Sequence, residues 1–325
     1  MRRLLAIIVV SAAIVGCNSQ PLQPLTPQAT TEQTSTKAAD ATGWQLVWQD
    51  EFNGEAIDSS KWSFEQNCWG GGNDEQQCYT NRPENAFVKA GVLHIVARKE
   101  PFTGPALNQD DPKFSLQHTK TQPYTSARLR TKGKGDWLYG RFEIRAKLPA
   151  GQGTWPAIWM LPTDWHYGAW PLSGEIDIME AVNLGVQSDE PRALADEMER
   201  RIHGTLHYGK RPPANVYTGQ SYKLPDGNSP ADGFYTYAIE WQPGEIRWYV
   251  DDVLYATQRS GDWFTAASET MPDISEHAPF DQRFHLLLNL AVGGNWAGNV
   301  NATGVDASAF PQSMLIDFVR VYQRP

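Results

Sequence analysis

Apolar and polar residues alternate along several short stretches of the chain. In the clearest of these stretches, Phe142, Ile144, Ala146 and Leu148 are separated by charged residues. Residues two apart lie on the same face of a β-strand, so this spacing predicts a strand with one buried face. Strand-forming residues also fill the segments 92–98, 246–250, 284–292 and 314–322.

Turn-forming residues separate these strands, as at 89–91 (KAG) and 251–252 (DD). The sequence has no internal repeat and no sustained helical period, and one helix is predicted at 191–201, within a charged stretch. So many strands in a region of this length predict an all-β fold, a β-sandwich of jelly-roll type.

The first residues read as a targeting segment. Arg2 and Arg3 precede an apolar run at 4–15 that is too short to span a membrane comfortably. The run leads into IVGC, which ends at Cys17 and resembles the lipobox of bacterial lipoproteins. The resemblance implies removal of a signal peptide, 1–16, and attachment of lipid to Cys17, so that the protein is anchored in a membrane.

The residue after the cysteine is Asn18, which by resemblance favours an outer-membrane lipoprotein, either periplasmic or exposed at the cell surface. The alternative is an ordinary signal peptide with a chance cysteine. Residues 17–43 lack the apolar side chains needed for a core, so they are predicted to be a flexible linker before a catalytic domain at 44–325. In an oxidising compartment Cys68 and Cys78 could form a disulfide; the alternative is two buried thiols.

Composition narrows the possible partners. Hydrophobic residues make up 41% of the chain and charged residues 20%, as is typical of a globular protein. The net charge of −9 argues against nucleic acid as a partner and favours a neutral polymer over a polyanion. The 13 Trp, 12 Tyr and 12 Phe offer flat faces that could hold sugar rings, or could simply fill the core.

Three carboxylates lie close together in one predicted strand, at Glu175, Asp177 and Glu180. Glu175 and Asp177 share a face, but Glu180 would point to the opposite face of a regular strand. One extra residue, a β-bulge near Ile178 or Met179, would return all three carboxylates to one face. The apolar residues between them would then pack into the core.

Like charges aligned on one face are costly unless their pKa values are separated. A retaining glycosidase uses such a pair: one carboxylate attacks as the nucleophile, and the other, kept protonated, is the general acid at a separation of ~5–5.5 Å. The alternatives are a solvated acidic edge and a calcium site.

The segment 174–182 (GEIDIMEAV) resembles the active-site motif of glycoside hydrolase family 16 in its bulged, laminarinase-like form. The resemblance runs from about Trp44 to Gln323 and includes several further motifs. They are 50–54 (DEFNG), 79–85 (YTNRPEN), 124–132 (YTSARLRTK), 140–162 (GRFEIRAKLPAGQGTWPAIWMLP), 203–209 (HGTLHYG) and 288–296 (LNLAVGGNW).

This resemblance implies a concanavalin A-like sandwich with a concave substrate cleft. It also implies a retaining endo-hydrolase of β-1,3-glucan that needs no cofactor for catalysis and acts as a monomer. By their place in the motif, Glu175 is expected to be the nucleophile and Glu180 the acid/base. Asp177 would hydrogen-bond the nucleophile and tune the titration of the pair. His207 is expected among the substrate-binding residues, facing the acid/base from the neighbouring strand; the alternative is a structural role.

Six further residues are expected at the sugar cleft by the same resemblance. The tryptophans would stack on glucosyl rings or pack into the core, and the two polar residues would hydrogen-bond hydroxyl groups. The alternative for the arginine is an ion pair that tethers its loop. The six are Asn81, Arg82, Trp155, Trp159, Trp170 and Trp296.

The resemblance also implies a structural Ca²⁺ on the convex face. Glu51, the backbone of Gly91 and Asp317 would hold it, so that the ion would clasp the two chain ends. The alternative is that Asp317 is a plain surface residue. Two stretches, 102–122 and 185–201, are longer than the compact family pattern, and the second follows the catalytic strand, where loops usually border the cleft.

Three other functions stay open. The same chemistry could act on mixed-linkage glucan, agarose or carrageenan, although the segments 81–82, 170–171 and 295–296 favour β-1,3-glucan. A glucan-binding protein without catalysis is a second alternative, but it should have lost Glu175 or Glu180, and both are present. The third is transglycosylation, in which a sugar rather than water attacks the intermediate.

Overall fold

The computed structural model describes residues 43–271 and 273–325. The predicted signal peptide, the lipidation site at Cys17 and the linker up to residue 42 lie outside the described residues and stay predictions. Within the described ranges, no helix is both long and apolar enough to cross a membrane.

The described part of the chain consists mainly of β-strands. Its helices are short: α1 (Gly294–Ala297) and the 3-10 helices Pro225–Gly227, Ala266–Glu269 and Ala307–Ala309. The strands are β1 (Gln45–Asp50), β2 (Ser63–Phe64), β3 (Gln77–Tyr79), β4 (Ala86–Lys89), β5 (Val92–Pro105), β6 (Thr119–Ser126), β7 (Arg128–Arg130), β8 (Asp136–Trp137), β9 (Gly140–Lys147), β10 (Thr154–Pro162), β11 (Glu175–Glu180), β12 (Arg201–Gly209), β13 (Asn215–Lys223), β14 (Tyr235–Gln242), β15 (Glu245–Val250), β16 (Val253–Arg259), β17 (Phe284–Val292) and β18 (Gln312–Gln323).

Two sheets pack face to face. The ten-stranded sheet has the order β16-β15-β14-β9-β18-β5-β6-β3, with β1 beside β18 and β4 beside β5. The eight-stranded sheet has the order β13-β12-β11-β10-β17-β7-β2, with β8 beside β17. The pairings are antiparallel except that of β3 with β6, which is parallel. The jelly-roll sandwich and each of the predicted strands are therefore confirmed.

The core lies between the two sheets. Phe142, Ile144 and Ala146, the predicted inner face of β9, are 0% exposed and belong to one cluster with residues of both sheets. Two indoles, of Trp241 and Trp248, are also fully buried there. Burial of each large apolar side chain contributes roughly 1.5–3 kcal/mol, so this layer is what fixes the register of the strands.

The predicted helix at 191–201 is wrong. The segment forms turns and folds back, so that the backbone N–H of Ser188 donates to the carbonyl of Glu197. Lys223 of β13 pairs with both Glu190 and Glu197. A short helix is marginal by itself, and these ion pairs favour the folded-back form. The loop predicted at 102–122 is also shorter than expected, since β5 and β6 extend into it.

Candidate active site

The carboxylates of β11 face the same side of the eight-stranded sheet because the strand contains one extra residue. Along the β12 pairing, Asp177 is opposite Thr205 and Glu180 is opposite His203. Three steps along β11 therefore match two along β12, which defines a β-bulge. The predicted bulge is confirmed.

The apolar residues of the bulge point the other way. Ile176, Ile178 and Met179 are at most 2% exposed and lie in the core cluster. Glu175 and Glu180, at the two ends of β11, stay partly exposed. Within the six residues of β11, the bulge thus places the apolar side chains on the face toward the core and the carboxylates on the opposite face.

A bulge leaves backbone groups without their usual ladder partners, and Trp248 of β15 satisfies one of them. Its indole Nε1 donates to the carbonyl oxygen of Asp177 from the other sheet, at 2.8 Å. Gly204 of β12 makes this contact possible, because a Cβ on Gly204 would lie only 2.5 Å from Trp248 Cδ1. The glycine of the HGTLHYG motif therefore makes room for the tryptophan that holds the bulge.

His207 lies opposite Glu175 on β12, with its ring against two carboxylates. Its Nε2 is 3.3 Å from Asp177 Oδ2 and 3.9 Å from Glu175 Oε1. The expectation that His207 faces the acid/base is therefore wrong. The extra residue in β11 makes His203, instead, the cross-strand neighbour of Glu180.

Each glutamate accepts a hydrogen bond from a tryptophan. Trp170 Nε1 donates to Glu175 Oε2 at 2.7 Å, and Trp155 Nε1 donates to Glu180 Oε1 at 2.9 Å. These bonds fix the orientation of both carboxyl groups before any substrate arrives. Both tryptophans were predicted to hold sugar, and their role as donors was missed, because the sequence gives no sign of where an indole N–H points.

The surroundings shift the protonation of the whole group. Burial raises the pKa of Glu175 to about 8, with Asp177 acting in the same direction and His207 and the Trp170 N–H opposing it. Burial likewise raises the pKa of Glu180 well above its ordinary value. Burial would lower the pKa of His207, but its hydrogen bond with Asp177 and the nearby carboxylates raise it to about 10. Both glutamates therefore have raised pKa values beside a cationic imidazole, and each proton affects the other, so a protonated carboxyl group is available for general acid catalysis.

A family model described as "Beta-porphyranase A-D, GH16 domain" matches residues 44–324. The chain belongs to glycoside hydrolase family 16. Among curated family 16 relatives, a β-glucanase of Rhodothermus marinus is 43% identical over 89% of this chain and 88% of its own length. A glucan endo-1,3-beta-glucosidase A1 of Niallia circulans is 38% identical over 86% of this chain, which spans 38% of that longer protein.

Solved structures agree with this assignment. The X-ray structure of the laminarinase from Rhodothermus marinus is 44% identical, with a TM-score of 0.66, and the match covers 86% of this chain and 97% of that one.

A β-1,3-glucan-binding protein of Penaeus monodon is also similar in sequence, at 34% identity over 77% of this chain and 74% of its own length. The protein described here is a family 16 glycoside hydrolase with both of the glutamates of the active-site motif in place. Family 16 glucanases need no cofactor for catalysis.

The predicted tryptophan platforms differ in what they offer to a sugar. Trp155 is only 9% exposed and packs edge-on against Trp296, so of the two alternatives it has the one of packing into the core. Trp159 is partly exposed, and its Nε1 donates to Asn289 Oδ1 at 2.7 Å. The Arg128 guanidinium lies 5.1 Å from the Trp159 ring. Stacking by Trp159, Trp170 and Trp296 stays a prediction.

A buried polar cluster that the sequence analysis missed lies beside Trp159. Arg128 of β7 pairs with Glu65 at 3.4 Å and Glu75 at 3.9 Å, and all three are at most 5% exposed. The cluster lies along the strand next to Asn289 of β17. A polar residue inside an otherwise apolar strand was the available signal for Asn289.

The loop that carries Trp296 is held by buried side-chain amides that contact its backbone carbonyls. Gln152 Nε2 lies within hydrogen-bond distance of four backbone carbonyls between Ala297 and Gly304. Asn183 Nδ2 contacts two of these carbonyls, of Ala297 and Val300, and both amides are at most 6% exposed.

The insertion at 185–201 contributes a third contact to this brace. Asn301 donates to the carboxylate of Glu199, and its backbone N–H donates to Asp189. The insertion therefore supports the Trp296 loop, which in turn packs on Trp155 beside Glu180. Four of its acidic residues form ion pairs with basic side chains: Asp189 and Glu199 with Arg201, and Glu190 and Glu197 with Lys223.

Arg82 has a tethering role in this structure. Its guanidinium pairs with Glu100, contacts Asn85 at 2.9 Å and lies 5.1 Å from the Phe102 ring. These bonds come from Nε and Nη2 of Arg82, so the alternative of a loop-tethering ion pair is what the structure has, and hydrogen bonding of Arg82 to sugar stays a prediction. Asn81, next to it, is exposed and stays a predicted sugar contact.

The residues expected to hold Ca²⁺ do not fit that ion. Glu51 accepts two hydrogen bonds from Arg320, both at 2.8 Å, and Asp317 is paired with Arg145. A guanidinium on each carboxylate supplies the positive charge that a cation would supply. The prediction of a calcium site at Glu51, Gly91 and Asp317 is therefore corrected to two ion pairs. Elsewhere, the structure joins Cys68 and Cys78 by a disulfide, as one of the two alternatives expected.

Proposed function

We propose that this family 16 enzyme hydrolyses internal bonds of β-1,3-glucan with retention of configuration. Glu175 attacks the anomeric carbon while Glu180 donates its proton to the departing glycosidic oxygen, which leaves as a hydroxyl. A water, deprotonated by Glu180, then displaces Glu175 and releases the sugar with its original anomeric configuration. The His207 imidazolium favours the ionised form of the attacking carboxylate. Asp177, which lies 3.3 Å from His207 Nε2, holds that imidazolium in place.

The observation that supports this proposal most directly is the one-residue bulge. It places Glu175, Asp177 and Glu180 on one face and gives each glutamate its own indole donor. Substrate choice is supported by the Rhodothermus and Niallia relatives, whose names are those of glucanases. The positive charge of Arg128, beside Trp159, is neutralised by its ion pairs with Glu65 and Glu75. Arg128 therefore offers no free positive charge for an anionic polymer, which supports a neutral one.

A galactan is the second candidate substrate. The matching family model carries a porphyranase description, and a keratan-sulfate endo-1,4-beta-galactosidase of Sphingobacterium multivorum is 31% identical over 99% of this chain and 67% of its own length. The discriminating experiment is parallel incubation with laminarin, barley glucan, agarose, carrageenan and porphyran, followed by product sizing. We expect laminarin to be cut fastest, into short oligosaccharides. Cleavage of a galactan without cleavage of laminarin would overturn the proposal that β-1,3-glucan is the substrate.

The two glutamate roles are tested by chemical rescue. Glu175→Ala and Glu180→Ala should each lose almost all turnover of an activated aryl glucoside. Azide should restore Glu175→Ala with an α-glucosyl azide as product, and Glu180→Ala with a β-glucosyl azide. The opposite pairing of variants and anomers would exchange the roles.

We also propose that the domain is a monomer anchored to the cell envelope through lipid on Cys17. The basic, apolar and IVGC segments at the N-terminus support this proposal. A Cys17→Ser variant should fail to incorporate labelled palmitate and should move from the membrane fraction to the soluble fraction. The soluble domain, 44–325, should elute as a monomer in size-exclusion chromatography with light scattering.

A further inference from the structure

One exposed aromatic residue lies on the reactive face of the eight-stranded sheet and belongs to neither the core nor the catalytic group. Tyr217 of β13 is 69% exposed. Its neighbour Val216 packs against the core, so β13 is already anchored without the tyrosine. Packing therefore does not explain why an aromatic ring is exposed at this position of the edge strand.

The strand register connects Tyr217 to the catalytic carboxylates. Glu175 on β11 is directly opposite His207 on β12, and His207 is directly opposite Tyr217 on β13. Strands lie ~4.8 Å apart, so Tyr217 stands about 10 Å from Glu175 across the sheet. His207 contacts Asp177, and its ring lies 5.8 Å from the Tyr217 ring, so all of them share one face.

The rings form a continuous row. Trp170, whose N–H holds Glu175, lies 5.9 Å from His207, and His207 lies 5.8 Å from Tyr217. The row starts at the reacting carboxylate and ends at an open tyrosine face. Sugar rings have an apolar C–H face that stacks on such surfaces, and the phenol hydroxyl adds a hydrogen-bonding edge.

We propose that Tyr217 forms an outer subsite that stacks a hexopyranosyl residue of the substrate, beyond the sugar units bound at the carboxylates on the β12–β13 side. The proposal rests on the function proposed above and extends it by naming a chain-length determinant. Only substrates long enough to cross β12 would reach the tyrosine. Shorter ones would be cut without its help.

The experiment compares kcat/KM on a series of purified β-1,3-gluco-oligosaccharides of increasing length. Tyr217→Thr keeps a β-branched residue suited to the edge strand, and Tyr217→Phe keeps the ring without the hydroxyl. Phe87→Thr is the matched control, because Phe87 also stacks on a histidine, His94, but on the ten-stranded sheet.

We expect Tyr217→Thr to match the wild type on the shortest cleaved substrates. On longer ones it should lose roughly threefold to tenfold in kcat/KM, since ring contacts of this kind are modest. Tyr217→Phe should keep most of the wild-type length dependence, and Phe87→Thr should keep all of it.

An equal loss at every length would overturn the proposal, because Tyr217 would then act only through His207. The absence of any loss would also overturn it, and so would a Tyr217→Phe variant that behaves like Tyr217→Thr. If the wild type cuts none of the β-1,3-linked series, the proposed function fails instead, so the two failures are distinguishable.

Discussion

The indole of Trp155 and the carboxyl group of Glu180 are joined by a hydrogen bond of 2.9 Å, at the end of β11 opposite to Glu175. Trp155 lies between Glu180 and Trp296, with its ring 5.3 Å from that of Trp296. It therefore serves as a fixed donor and not as a platform for sugar. The bond stabilises the ionised form of Glu180 and lowers a pKa that burial has raised.

Trp155→Phe should move the alkaline limb of the kcat/KM profile upward. Without the N–H, the pKa of Glu180 rises further, so the acid stays protonated to higher pH. A hydrogen bond to a charged group contributes ~1.5–3 kcal/mol, which corresponds to a shift of roughly one to two pH units. Trp263→Phe is the control, because its indole donates to the His277 carbonyl instead. An unmoved limb in Trp155→Phe would contradict the assignment of Glu180 as the acid.

His207→Gln should move the acidic limb of the profile upward. The imidazolium lowers the pKa of Glu175, so its removal keeps Glu175 protonated, and unable to attack, to higher pH. We expect a kcat/KM loss of roughly tenfold or more on the acid side, for about one pKa unit, and a smaller loss at high pH. His94→Gln, on the other sheet, should leave the profile unchanged. A pH-independent loss in His207→Gln would mean that the histidine acts through packing alone.

The bulge could be predicted because the carboxylates of this short strand are spaced two and then three residues apart, whereas a regular strand would place every second residue on one face. The spacing of Glu175, Asp177 and Glu180 allows one face only if an extra residue is present, and burial of Ile178 and Met179 selects that solution. The β-sandwich could be predicted for the same reason, since alternation reports directly on burial.

The partners of side chains could not be predicted in this way. The ion pairs of Glu51 with Arg320 and of Arg82 with Glu100 join residues that are 269 and 18 positions apart. Such contacts depend on the sheet register, which local patterns do not encode. The same reason explains why an acidic insertion suggested a helix at 191–201, although Lys223 from a later strand draws it into turns.

Gly204→Ala should damage the active site from within the core. The new Cβ would lie 2.5 Å from Trp248 Cδ1 and 2.6 Å from the Tyr255 hydroxyl, so the Trp248 indole must move away from the Asp177 carbonyl. Overpacking of this kind costs about 1–3 kcal/mol. We expect a lower melting temperature together with a lower kcat.

Gly261→Ala is the control for this substitution, because its Cβ would meet nothing within 4 Å. It should match the wild type in both melting temperature and kcat. If Gly204→Ala keeps full kcat with a lowered melting temperature, the Trp248 contact does not hold the bulge in its active form.

Glu199→Gln should destabilise the fold in a pH-dependent way. Burial would raise the pKa of Glu199, but hydrogen bonds from Arg201 and Asn301 outweigh it and lower the pKa from 4.5 to about 2. A lowered folded-state pKa means that the stabilisation is complete above the unfolded value of 4.5 and is lost as the pH falls towards 2. The contribution is at most about 3 kcal/mol.

Urea unfolding at pH 7 and at pH 3 checks this expectation. The free energy of unfolding of Glu199→Gln should lie below that of the wild type at pH 7, and the gap should shrink at pH 3, where the wild-type carboxylate has lost part of its advantage. Glu269→Gln is the control, because its ion pair with Lys210 is exposed and long, at 3.7 Å. A gap that is the same at both pH values would show that Glu199 supports the Trp296 loop through shape and not through its charge.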